Sequence, residues 1–175
     1  MNAGRQSHSP SAHDDALAAI TIALRDERDP QRAMQRAVSI LKQSFSVYSW
    51  VGIYLLEGHE LVLGPFLGKP SPHTRIPLGS GICGAAATEQ HTIIVDDVNA
   101  DPRYLACSIE TRSEIVVPIM DGNRVLGEID IDSDQPAAFG TADRTLLEHV
   151  AALLARKLSD LPPEGGSYTE PGRTP

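Results

Sequence analysis

The sequence predicts an α+β domain: a central antiparallel sheet with helices on one face and pocket-forming loops on the other. Two observations carry this prediction. Two helical stretches open the chain and another closes it. Between them, extended runs come in neighbouring pairs joined by tight turns, which is the signature of hairpins and not of parallel strand–helix–strand units.

The elements follow in order. Residues 1–13 are small and polar and are predicted to form a disordered tail. From Asp14 onward, Leu17, Ile20 and Leu24 share one apolar helix face. "RDERDP" interrupts that helix, with Asp29 placed as the N-cap of a second and Pro30 in its first turn. Met34, Val38, Leu41 and Phe45 repeat the helical spacing. "YSWVGIYLLEGHELVLGPFLG" reads as two extended runs joined by the glycine-containing turn "EGHE". "HTRIPLGSGICGAAATEQ" reads as a short strand, a glycine turn and a helix of small residues, and "HTIIVDDV" as a strand ending in two aspartates. Residues 99–113 have turn chemistry and no period, so they are predicted to be a loop with at most one helical turn. "EIVVPIM" and "RVLGEIDIDS" are strands linked by the hairpin signal "DGN". "TADRTLLEHVAALLARKL" closes the fold as a helix with Thr141 as N-cap. The Pro/Gly-rich residues 159–175 are predicted to be a flexible tail, which leaves 14–158 as the folded domain. With helices on one face, the loops of 70–113 cover the other, and a pocket beneath them is the natural ligand site.

Composition bounds the function. The chain has 175 residues, 41% of them hydrophobic, which suits one globular domain. Its net charge of −8 argues against nucleic acid or an anionic membrane as partner. No apolar run reaches the roughly 20 residues of a membrane span, and the start lacks a secretory core, so a cytoplasmic protein with reduced thiols is expected.

Four kinds of residue can carry chemistry. Cys83 stands where a glycine turn enters a helix, a place that lowers a thiol pKa, although a small cysteine in a tight turn is by default a buried filler. Cys107 lies in a loop, flanked by Arg103 and Arg112, whose charge would favour a thiolate, and a loop cysteine of this kind is as often incidental as reactive. Asp130 and Asp132 alternate on one strand and project to the same face, and Glu114 opens a neighbouring strand. Strand interiors disfavour aspartate, so the pair marks either a solvated face or a site for an ammonium group or a proton. Trp50 and Tyr54 share a face, as core or as pocket wall. The six histidines fall at no metal-ligand spacing, so no zinc site is predicted. "GSGICG" spells the dinucleotide fingerprint but follows a hairpin and a short strand, so a tight turn explains its glycines.

"WVGIYLL", "LVLGPFLGKP", "RIPLGSGICGAAA", "VDDVNADPRYLACSIETRSEIVVPI" and "VLGEIDIDS" follow one another in a way that resembles the GAF-domain free methionine-R-sulfoxide reductases, over about residues 48–133. The resemblance implies a single GAF domain that reduces free L-methionine (R)-sulfoxide through a cysteine thiolate and a sulfenic acid, with no bound cofactor and with thioredoxin as reductant. It implies Cys107 as catalytic thiol, Cys83 as the family's "GVCG" cysteine, Glu114, Asp130 and Asp132 as acids that bind the amino and sulfoxide groups, and Trp50 and Tyr54 at the methyl end. Terminal helices that pair in GAF domains suggest a homodimer. The family usually carries a third cysteine just before the "TRI" segment; here that place is His73. Either Cys83 then resolves the oxidised Cys107, or an external thiol does, or the activity is lost. The competing function is a GAF module that binds a small molecule for signalling without turnover.

Overall fold

The structure, a computed structural model, describes residues 10–106 and 108–159. Helices α1 (Pro10–Arg25) and α2 (Pro30–Ser44) lead into strands β1 (Trp50–Glu57), β2 (Glu60–Leu67) and β3 (Arg75–Pro77). Helix α3 (Gly81–Glu89), β4 (Ile93–Val95), a 3-10 turn at Val98–Ala100, β5 (Ser113–Asp121), β6 (Arg124–Ser133) and helix α4 (Thr141–Leu158) follow. The six strands form one sheet in the order β3-β2-β1-β6-β5-β4, and every neighbouring pair is antiparallel. The central position of β1 and β6 matters for function, because their shared face is the floor of the site.

Strand alternation divides the core in two. Val51, Ile53, Ile115, Val117, Ile129 and Ile131 point to the face that α1, α2 and α4 cover. Trp50, Tyr54 and Val116 point to the other, where Ile82, Cys83 and Ala86 of α3 pack with Val95 and Val98. The second cluster is smaller and more polar, which leaves room for a pocket.

Three local expectations change. The first helix begins at Pro10, not Asp14, so the predicted tail is shorter at its inner end. His13, assigned to that tail, is buried, with Nε2 3.1 Å from Asp143 Oδ1. A tertiary partner holds this turn where local composition reads as tail. The N-cap of α4 is Gly140, and Thr141 is already helical, because the Asp143 carboxylate accepts from the Gly140 N–H at 2.8 Å and closes the first turn. In "GSGICG", Gly79 and Gly81 have φ of +81° and +70°, so the backbone conformation accounts for them. Asp29 does cap α2, accepting from the Gln31 N–H at 2.9 Å. Residues 1–9 and 160–175, nearly all of the two predicted tails, lie outside the described residues.

Asp143 joins three elements. Besides capping α4 it accepts from the Tyr48 hydroxyl at 2.7 Å, ahead of β1, and meets His13 of α1. Burial and this anion raise the Tyr48 phenol. Asp143→Ala would strand the buried partners, and a loss of about 2–4 kcal/mol is expected in urea unfolding. Asp143→Asn should recover part of it by keeping one acceptor.

Candidate active site

The register of the central strands builds the site. On β1, Trp50, Gly52 and Tyr54 stand opposite Asp132, Asp130 and Glu128 of β6. On the other side of β6, Glu114 of β5 pairs with Asp132. One face thus carries four acids in two adjacent strands, all buried: Glu114 is 5% exposed, Glu128 0%, Asp130 2% and Asp132 5%. The reading of these strands as a solvated face is excluded by that burial.

Glycine shapes the aromatic side. A Cβ on Gly52 would stand 2.1 Å from the Trp50 ring, and one on Gly68 would stand 2.5 Å from it. The indole therefore leans across β1 between two bare backbones and stacks on Phe66, with ring centroids 5.7 Å apart. Tyr54 lies beside it at 6.4 Å, and its hydroxyl donates to the His73 carbonyl at 2.8 Å. Tyr54 therefore offers its ring to the space in front of β6.

That space is a cavity of about 180 Å³, below the roughly 300–1,000 Å³ of common ligand pockets and of single-amino-acid size. Trp50, Tyr54, Asp130 and Asp132 form its floor and wall, Lys69 to Ser71 one rim, and Ser108, Glu110 and Thr111 the other. Lys69, which ion-pairs with Glu110, is the one cation among these lining residues. Among the described residues the buried Trp50 Nε1 and Asp130 Oδ1 have no hydrogen-bond partner, which leaves a donor and an acceptor of the cavity wall for a ligand.

The electrostatics are those of crowded anions. Burial first, then mutual repulsion, raises Glu114, Glu128 and Asp132, whereas a bond from Thr111 partly holds Asp132 down. Asp130 is pushed up to about 7 by burial, with bonds from Cys83 and Glu114 opposing. These groups can hold protons near neutrality, or ionise when a cation enters.

Cys83 corrects one expectation. Its thiol is not lowered by the start of α3; burial first, then Asp130, Glu128 and Glu114, raise it. Its Sγ donates to Asp130 Oδ2 at 3.5 Å and lies 3.8 Å from Glu114 Oε1. The helix places this thiol beneath the acids, where their charge outweighs the helix dipole.

Cys107 lies outside the described residues. On one side of it, the Ala106 carbonyl meets the His73 ring nitrogen Nε2 at 3.2 Å; on the other, Ser108 lines the cavity. Arg103, read from sequence as a neighbour that favours a thiolate, pairs with Asp101 at 2.8 Å and lowers that carboxyl. Sequence reasoning missed Glu128, Lys69, Glu110 and Thr111. Glu128 shares the parity of Asp130 and Asp132, and that signal was available. The others sit in loops, whose approach to β6 is set by the tertiary fold.

Residues 29–158 match the model of the GAF domain. The chain is 36% identical to the free methionine-R-sulfoxide reductase of Escherichia coli over 121 residues, 69% of this chain and 73% of that protein. Its structure superposes on the free methionine-R-sulfoxide reductase of Neisseria meningitidis in complex with its substrate with a TM-score of 0.82 and 37% identity, covering 91% of this chain and 96% of the other. The chain belongs to the GAF-domain free methionine-R-sulfoxide reductase family. The type II free methionine-R-sulfoxide reductase of Thermoplasma acidophilum is a further relative of known structure, 41% identical with a TM-score of 0.72, over 74% of this chain and 92% of that one. In this reductase-family chain Asp130 and Asp132 of β6 line one small cavity together with Trp50 and Tyr54 of the adjacent β1. No helix among the described residues is long and apolar enough to cross a membrane.

Proposed function

We propose that this chain reduces free L-methionine (R)-sulfoxide in the cytoplasm, with Cys107 as nucleophile and thioredoxin as electron source. One observation carries the reading: buried acids without a matching cation face a cavity of about 180 Å³ whose lining holds a single lysine. A free amino acid complements this arrangement, its ammonium meeting the acids and its carboxylate meeting Lys69. A residue within a peptide has no such ammonium, so the acids select the free form. Trp50 and Tyr54 then wall the sulfoxide methyl, and the unengaged Trp50 N–H is free to donate to a substrate oxygen.

The Cys107 thiolate attacks the sulfoxide sulfur while a protonated acid, Glu114 or Asp132, gives its proton to the oxygen. The oxygen passes to Cys107 as sulfenic acid and methionine leaves, so the sulfoxide gains two electrons and the cysteine loses two. A second thiol then displaces water from the sulfenic sulfur to form a disulfide, and thioredoxin reduces it. Cys83 is the resolving thiol in this scheme, with Asp130 Oδ2 placed to accept its proton.

The test is NADPH consumption in a thioredoxin-coupled assay with free (R)- and (S)-methionine sulfoxide and with N-acetyl-methionine sulfoxide. Turnover confined to the free (R) form is expected. Equal turnover of the N-acetyl compound would sink the ammonium reading, and no turnover with thioredoxin or dithiothreitol would sink the reductase.

A further inference from the structure

Beneath the cavity, a thiol and two carboxyl groups converge, with a third carboxyl beside the thiol. One ligand atom each from Cys83, Glu114 and Asp130 lies within 4.8 Å of the others, and all three residues are buried. Glu128, fully buried, interacts with the same thiol, and its carboxyl oxygens have no other partner among the described residues. Asp130 Oδ1 is likewise unengaged. Thiol-to-acid hydrogen bonds account for two contacts of Cys83, but the single thiol proton cannot serve Asp130, Glu114 and Glu128 together. The nearby guanidinium of Arg103 is committed to Asp101.

A cation serves all three acids. Zinc binds thiolate at about 2.3 Å and carboxylate oxygen at about 2.0–2.2 Å, which in a tetrahedron sets sulfur-to-oxygen edges of about 3.6 Å. The Cys83 contacts, at 3.5 and 3.8 Å, fit that edge. Glu128 lies outside that close trio but interacts with the same thiol, and it is the donor added to them as a fourth ligand. A thiolate among oxygens favours a thiophilic ion over magnesium or calcium. The donors come from α3, β5 and β6, so no short sequence spacing reveals them.

We propose that Cys83, Glu114, Glu128 and Asp130 bind one zinc-class divalent cation, and that this ion competes with the amino-acid substrate. The competition rests on the reductase reading, because Glu114 and Asp130 serve both ligands. Binding replaces the S–H and O–H protons by metal bonds, and the protons go to buffer. No oxidation state changes.

The experiment uses metal-free, reduced Cys107→Ser protein, in which any sulfur–metal bond reports Cys83. Zinc is titrated by calorimetry, and cadmium by its ultraviolet thiolate-to-metal absorption. One ion per chain is expected, with the thiolate band, weakened at least about 100-fold by adding Cys83→Ser and about 10–100-fold by adding Glu128→Gln. Free methionine sulfoxide should weaken the apparent zinc affinity in proportion to its concentration. Should Cys83→Ser fail to fold, Glu128→Gln and the cadmium band decide alone. No stoichiometric binding below about 100 µM, equal affinity in the Glu128→Gln protein, or indifference to methionine sulfoxide would overturn the proposal. Absence of turnover in wild-type protein both with and without zinc would count against the reductase reading only, since the titration needs no turnover, whereas turnover lost on metal removal and restored by zinc would overturn the competition.

Discussion

Cys107→Ser is expected to lower turnover of methionine (R)-sulfoxide by at least about 10⁴-fold, while the affinity for the sulfoxide stays within a few-fold of wild type. A serine hydroxyl has no anion near neutral pH, and it cannot pass through a sulfenic acid, so both the attack and the redox step disappear. The groups proposed to hold the substrate, namely Trp50, Tyr54, Lys69 and the acids of β5 and β6, are untouched. Single-turnover kinetics and calorimetry separate the two quantities. The same variant distinguishes an enzyme from a sensor. A binding module would show the same affinity in variant and wild type and no turnover in either, which would remove the role assigned to Cys107.

Asp130→Asn is expected to reduce kcat/KM by about 10²–10³-fold, the effect of removing one partner from a buried charge pair. It should also change how stability depends on pH. Burial raises the folded Asp130 carboxyl to about 7 from an unfolded value near 4, so the folded state holds the proton more tightly. Its contribution is fully present below the unfolded pKa and is lost as pH climbs through the folded one. Glu114, Glu128 and Asp132 act in the same direction. The substrate-free wild type should therefore melt at lower temperature at pH 8 than at pH 6, and Asp130→Asn should flatten the difference. Parallel slopes for the two proteins would show that this carboxyl is not the group concerned. The site thus costs stability that a bound ammonium should restore, and excess substrate at pH 8 should raise Tm in the wild type more than in the variant.

The strands were legible because alternation speaks directly to sheet faces. "GEIDIDS" puts Asp130 and Asp132 on one side whatever the rest of the chain does, and "WVGIY" does the same for Trp50 and Tyr54. Which side is buried was not legible, since a strand face of acids looks solvated until α3 covers it. Cys83 was legible as a buried thiol, but not the direction of its pKa: a helix start is a local property, whereas the three acids that raise it come from strands 31 to 47 residues away. His13 looked like part of a polar tail because its partner, Asp143, lies 130 residues downstream. Lys69 and Thr111 gave no periodic signal, and only closure of the loops brings them to β6.

The indole that leans between Gly52 and Gly68 is the chain's one tryptophan. All tryptophan emission therefore originates in the cavity wall, beside the acids and the Phe66 ring. Ligand entry, a change in the charge of β6 and displacement of water must each alter that single fluorophore. The protein carries an intrinsic optical gauge of its own occupancy, readable in stopped flow without a label, on the timescale at which the oxidised amino acid arrives and the reduced one departs.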